Sequence, residues 1–271
     1  MLDLSLFRNL RFTAASASVT VTFFSLAGFI FLITQYFQFL KGYGPLEAGV
    51  RVLPVATSVA IASVLGTKVA VRFGTKLVVT VGLMLLTTFF VWVSTATVTT
   101  TYLTIAIQML ICGTGMGLTS APATEAIMGV VPRAKAGVGS AVNDATRLLG
   151  ATLGVAVIGS VYASVYATRL TATLPAAVPS QIAHIAHQSV GAALALAGRL
   201  GASGHIAAAG AVHHAAAHAF THGLSIACLV AAGVSATGAV LAGLLLPAHP
   251  VRALAEAVEP GAALHPVAAV E

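Results

Sequence analysis

Charge is what this sequence most lacks. Of 271 residues only 13 are basic and 7 acidic, or 7% charged in all, against roughly 25% in a soluble globular domain. So few hydrated side chains cannot cover a globular surface. A water-soluble enzyme, a disordered chain and a coiled coil are excluded on that ground. Cysteine is equally scarce. Cys112 and Cys228 both lie inside apolar stretches, so no disulfide framework is expected and each reads as a small packing residue. There is no P-loop, no dinucleotide fingerprint and no Ser/His/Asp arrangement. The first apolar run is too long for a cleavable signal peptide, lacks a cleavage site and is followed by further runs. The net charge of +6 does not signal nucleic acid either. Its basic residues occur in ones, twos and threes between apolar runs and form no basic face.

What remains is hydrocarbon. Hydrophobic residues make up 58% of the chain, and the mean hydropathy is +0.98. A bilayer core takes about 20 apolar helical residues to cross. Six runs are long enough: Phe12–Leu40, Leu46–Val71, Leu77–Val93, Tyr102–Gly129, Ala136–Tyr166 and Phe220–Leu246. None shows the period-two alternation of a membrane strand. The expected fold is an all-α integral membrane protein of six transmembrane helices. A start at 1–11 leads into five spans over 12–166. A long His/Ala/Gly-rich connection at 167–219 precedes the sixth span at 220–246, and a Pro/Ala-rich tail at 247–271 reads as disordered. Within 181–200, scattered Ile and Leu residues suit weak interfacial helices.

Basic residues set the orientation. Arg8, Arg11, Lys68, Arg72, Lys76, Arg133, Lys135 and Arg252 fall on one side of the spans, and Lys41, Arg51, Arg169 and Arg199 on the other. The positive-inside rule then puts both termini in the cytoplasm of a cell-membrane protein, with the His-rich connection outside.

Ionisable groups within spans are costly, about 2.5–3.5 kcal/mol each at the centre of a helix. Glu125, Asp144 and Arg147 are therefore the candidates for a proton and charge network. Counted at about 1.5 Å per residue, Glu125 lies roughly 6 Å and Asp144 roughly 13 Å in from the cytoplasmic side. Asp144 and Arg147 are three apart and can pair. Glu125 can pair with Arg133 or Arg147. Ser140, Asn143, Arg147, Gly150 and Gly154 form one polar and small stripe, which hydrocarbon cannot satisfy. It either lines an aqueous cavity, with Asp144 exchanging a proton, or forms a packing seam. In span four Gly113, Gly115 and Gly117 allow close helix approach, and Pro122 can bend the helix. Gln35 and Gln38 share a face of span one among Phe31, Tyr36, Phe37 and Phe39. They suit either a pocket for large amphipathic compounds or an interfacial aromatic belt.

All nine histidines lie beyond residue 180. His214, His218 and His222 recur at i, i+4 and i+8. No Asp or Glu accompanies them between 170 and 250, so a solvated outer surface is expected and no metal site. Neither an enzymatic role nor a cofactor is expected.

Four stretches carry a family resemblance: "LFRNLRFTAAS" at 6–16, "QYFQFLKGYGPLEAGVRVLP" at 35–54, "RFGTKLVVTVGL" at 72–83 and "GTGMGLTSAPATEAIMGVVPRAKAGVGSAVNDATRLLGATLGVAVIGSVY" at 113–162. They resemble the carboxy-terminal portion of a major facilitator superfamily exporter of the fourteen-span drug/proton antiporter type, EmrB/QacA-like. The resemblance implies one half of a major facilitator-type bundle, in which the six spans match the family's last six. It implies proton-driven export of hydrophobic or cationic drug-like molecules, with the proton gradient as energy source. Asn143 and Arg147 match the family's Asn…Arg pair. Arg72, Gly74 and Lys76 match its cytoplasmic gating loop, although Val71 stands where an acidic residue is usual. The first eight spans and their proton-coupling motifs are not in this sequence. A chain of this extent is expected to need a missing amino-terminal half or a homodimer partner, with Met1 as an internal start or the sequence as a fragment. The rival expectation is a non-transporting six-helix bundle, a truncated relic or an interaction subunit.

The composition generates one direct test. The chain should stay in the membrane pellet after alkaline carbonate washing and dissolve only with detergent. Recovery as a detergent-free compact particle would contradict the six-span reading.

Overall fold

A computed structural model describes residues 8–132, 136–174 and 180–246. The described residues are helical apart from short links. Helix α1 runs Leu10–Gln35 and continues through a π turn at Tyr36–Leu40. It is followed by α2 (Pro45–Phe73), α3 (Thr75–Val93), α4 (Tyr102–Met128) and α5 (Ala136–Thr173). Then come α6 (Ser180–Gln188), α7 (Val190–Ala202) and α8 (Ile206–Leu245). Six of these are long and apolar enough to cross a membrane: α1 with its π turn, α2, α3, α4, α5 and α8.

Neighbouring helices meet through small residues. In lipid no hydrophobic force drives helices together, so dispersion contacts and close backbone approach must. The buried stripe of α2 is Val55, Ser58, Ala62, Gly66 and Ala70, mostly small and mostly four apart. It lies on α4, where a Cβ on Gly113 would collide with Ser58, and one on Gly117 would come 2.7 Å from Ala62. Gly115, on the opposite side of α4, approaches Gly82 of α3. Alternate glycines thus let α4 nest between two partners. The α1–α5 crossing follows the same rule. A Cβ at Gly150 would land on the Thr20 carbonyl and one at Gly154 on the Phe24 carbonyl, while Gly28 of α1 faces Ile158. A hydroxyl pair, Ser25 to Ser235 at 3.0 Å, joins α1 to α8 inside the core.

Burial is uneven. The most apolar stretches of α1, α3, α4 and α8 are 44–50% buried, but those of α2 and α5 only 22%. α2 packs chiefly on α4, while α5 packs on α1 and α8. These two helices keep a wide face uncovered.

The links are short. α2 and α3 are joined by Gly74 alone, at φ 91°. A side chain would strain that conformation, so glycine is required. Residues 94–101 are closed by their own hydroxyls, with the Thr97 amide donating to Thr100 Oγ1 at 2.8 Å.

The greatest departure from the expected layout concerns 167–219. α5 continues to Thr173 and α8 begins at Ile206, so much of this connection is helix extending the spans. Between them, α6 and α7 pack onto the bundle, and Tyr166 Oη donates to the Ala186 carbonyl at 3.1 Å. Alanine, the best helix former, dominates here, and histidine lowers the hydropathy without breaking the helix. The tail at 247–271, the start at 1–7 and Arg133 with Lys135 lie outside the described residues.

A packing test follows. Gly154→Val should overpack the α1–α5 crossing and cost about 1–3 kcal/mol or more, read as a fall in thermal midpoint in detergent. Gly137→Ala, where a Cβ meets nothing within 4 Å, should leave the midpoint unchanged.

Candidate functional site

Arg147 lies where three helices meet. Its Nη2 donates to Thr124 Oγ1 of α4 at 3.1 Å, and its guanidinium carbon stands 5.1 Å from the Phe23 ring centre of α1. Thr124 Oγ1 in turn reaches Asn143 Oδ1 at 3.5 Å. Thr146 Oγ1 donates to the Asn143 carbonyl at 2.8 Å. Asn143 is buried, and Arg147 Nε is buried without a hydrogen-bond partner. The stripe Asn143, Gly150 and Gly154 therefore faces protein, against α1 and α4. Ser140, its first member, is exposed.

The anticipated ion pair between Asp144 and Arg147 does not form. Nor does one between Glu125 and Arg147, because the only ion pair among the described residues is Arg51–Glu47 at 2.7 Å. The reason is local. Phe23 offers a cation–π face and Thr124 an acceptor, and both draw the guanidinium into the seam. Asp144 and Glu125 are exposed. The seam thus holds a fixed positive charge without a counter-ion. Beside it on α5 stands the Asp144 carboxylate, exposed and outside any ion pair among the described residues. Thr124 is the residue the sequence did not reveal, since nothing local marks one threonine among many.

A second polar group sits at the other end of the bundle, around the π turn. In that wider turn the Lys41 amide bonds the Tyr36 carbonyl five residues back, at 3.1 Å. Tyr36 and Phe37, at the start of this turn, are both buried. The same widening removes the simple three-residue repeat that was expected to keep Gln35 and Gln38 on one face. Gln35 Nε2 donates to its own helix at the Phe31 carbonyl, 3.4 Å away, and Gln38 is half-buried. Phe31 lies against Gly159 of α5. Gly159 is 16 residues from Asn143, or about 24 Å along the helix, so Phe31 and Gln35 are not brought together with Asn143.

Around this turn the structure assembles charges that the sequence reading had used only to set orientation. Arg51 is held between the rings of Tyr43 and Tyr102, at 4.0 and 4.8 Å from their centres, with Glu47 at 2.7 Å. Tyr102 Oη donates to the Arg51 carbonyl at 3.2 Å, and Tyr36 Oη to the Thr97 carbonyl at 2.7 Å. Lys41 Nζ donates to the carbonyls of Val98 and Thr100 at 2.7 and 2.8 Å, and partial burial there lowers its pKa. The spacing of Glu47 and Arg51, i and i+4, was the signal available. Nearby, an internal cavity of about 10 Å³ is lined by Gln108, Phe29, Tyr36 and Phe89. That is about the space of one water.

At the opposite end, Arg72, Gly74 and Lys76 surround the one-residue link. Arg72 is exposed, with its guanidinium 5.6 Å from the Phe73 ring centre. His214, His218 and His222 are exposed on α8 and border an outer groove against the Thr-rich link, about 400 Å³ in volume. Among the described residues no three His, Cys, Asp or Glu side chains are grouped to hold a metal.

The Arg147 contact is testable on its own. Thr124→Val should lower stability in detergent by about 1.5–3 kcal/mol, the usual worth of a hydrogen bond to a charged group, and Thr124→Ser should restore it. Equal thermal midpoints for all three proteins would show that the contact contributes nothing.

Residues 2–155 match the family model for the Major Facilitator Superfamily. Among curated relatives, the multidrug resistance protein Stp of Mycobacterium tuberculosis is 34% identical over 168 residues, covering 59% of this chain and 30% of that protein. The multidrug efflux pump LfrA of Mycolicibacterium smegmatis is 31% identical over 160 residues, with 59% and 32% covered. The methylenomycin A resistance protein of Streptomyces coelicolor is 29% identical over 154 residues, with 57% and 32% covered. The chain spans about a third of the length of these relatives. With six membrane-crossing helices, no strand among the described residues and a match over more than half its length, this multi-pass membrane chain belongs to the Major Facilitator Superfamily.

Proposed function

We propose that this chain is the carboxy-terminal six-helix wall of a fourteen-span, proton-coupled drug exporter of the EmrB/QacA-like type. It moves hydrophobic or cationic small molecules and uses the proton gradient as its energy source. The observation that carries the reading is the uncovered face of α5. Its most apolar stretch is 22% buried against 44–50% in α1, α4 and α8, on which it packs, yet it carries Asp144 exposed within a span and Arg147 with no ion pair among the described residues. Hydrocarbon cannot satisfy such a face. A second wall and water between the walls would satisfy it, which is the arrangement in which transporters hold their substrates. α2, equally uncovered, would border the same partner. The names of the relatives, with their drug resistance and efflux, support the substrate class.

On this reading Asp144 takes up and releases the coupled proton, with Glu125 as an accessory carboxylate. Arg147, held by Thr124 and Phe23, keeps a positive charge in the seam beside Asp144. Gln35, Gln38, Phe31 and Asn143 contribute to the substrate path. Arg72, Gly74 and Lys76 form the cytoplasmic hinge, and both termini are cytoplasmic. The second wall is an amino-terminal half or a second copy of this chain. The continuous core of the six spans favours a second reading, a self-standing bundle that does not transport.

Ethidium efflux from an efflux-deficient bacterium separates the two. Joined to the amino-terminal half of an EmrB/QacA-like relative, the chain should export ethidium, and Asp144→Asn or Arg147→Gln should cut the rate by about tenfold or more, a loss of ~1.4 kcal/mol or more of transition-state stabilisation. Normal rates in both variants would remove the site. A correctly inserted, joined protein without efflux would favour the non-transporting bundle.

A further inference from the structure

We propose that the groove between α3 and α8, at the end of the bundle carrying Arg72 and Lys76, is a binding site for one anionic phospholipid. The groove has two connected stretches of about 410 Å³ each, which share Thr80 and Gly243. Phe73 and Lys76 border its mouth, and Met84 and Val240 line its far stretch. From Lys76 to Thr88 the helix rises about 18 Å, comparable to the roughly 15 Å of one leaflet, half of a hydrocarbon core about 30 Å thick. The groove is open at Gly243, where even a Cβ would remain 3.6 Å from Thr80 Oγ1.

The polar groups fall in the order of a phospholipid. Lys76 lies at the mouth, and neither α3 nor α8 contains an Asp or Glu to neutralise it. Arg72, outside the lining, is 5.6 Å from the ring centre of Phe73, which does line the mouth. A phosphate placed at the mouth meets Lys76. One helical turn deeper, on the same face, is Thr80. Two threonines further along α3 turn their hydroxyls back on their own helix, Thr87 to the Leu83 carbonyl and Thr88 to the Met84 carbonyl, both at 3.0 Å. Thr80 Oγ1 makes no such bond and is buried without a partner. A turn of its side chain would direct this hydroxyl to a glycerol ester carbonyl lying in the groove. Beyond it the groove wall is apolar and receives an acyl chain. Basic pockets between helices at a membrane edge are the recognised setting for anionic headgroups.

Native mass spectrometry of the full chain in detergent, with equal dioleoyl phosphatidylglycerol and phosphatidylcholine, tests this. The wild type should retain phosphatidylglycerol over phosphatidylcholine by about fivefold or more, the ratio equivalent to ~1 kcal/mol for one basic residue near the surface. Lys76→Gln should bring the ratio to about one. Lys68→Gln, at an exposed cation of the same end, should leave it unchanged. Gly243→Leu should reduce retention of both lipids. An equal ratio in the wild type would overturn the site, as would a ratio that survives Lys76→Gln or full lipid retention in Gly243→Leu. Equal loss in Lys68→Gln and Lys76→Gln would show diffuse attraction instead and overturn it too.

Discussion

Close approach of helix backbones is the constraint on which this structure depends. A soluble bundle can rely on water to press bulky apolar faces together, but a bundle in lipid cannot. Gly113 and Gly117 against α2, Gly115 against Gly82, and Gly150 and Gly154 against α1 bring the helices within dispersion range. The larger side chains are then free to fill the centre, where Phe29, Tyr36, Phe89, Phe90 and Phe220 are buried. The position of every polar group follows from these crossings. Arg147 meets Thr124 and Phe23 because α5 can lie so close to α1.

The number of spans and most of their limits were legible in the sequence, because hydropathy over some 20 residues has a single cause in a bilayer. The glycines of α4 and the Asn143–Gly154 stripe were legible as places of close contact, but not the helix each would meet. That depends on crossings between segments over a hundred residues apart, as between Thr20 and Gly150. The extents of α5 and α8 were read short, because Arg169 with three threonines ends α5 and three histidines among alanines begin α8, and both lower hydropathy without breaking the helix. The π turn was hidden for a different reason. Its sequence, YFQFL, is an ordinary aromatic run, and nothing in it marks the wider turn.

The candidate site was legible as a set of residue types and not as a geometry. Spacing correctly put Asp144 and Arg147 on neighbouring positions of one helix. It could not say that a ring and a hydroxyl from two other helices would compete for the guanidinium. Their success leaves both the carboxylate and the guanidinium outside any ion pair among the described residues. Gln108 and the Arg51 clasp show the same limit, since their surroundings are assembled from distant segments.

Gly74 joins α2 to α3 with no other residue between them. Successive Cα atoms are about 3.8 Å apart, so this link has no slack. Neither helix can slide along its own axis without dragging its neighbour, and the pair can only pivot about a common point, like two rods on one pin. Any shift that lifts α2 at the exposed rim is therefore delivered to α3, and through α3 to α8 on the far side of the bundle.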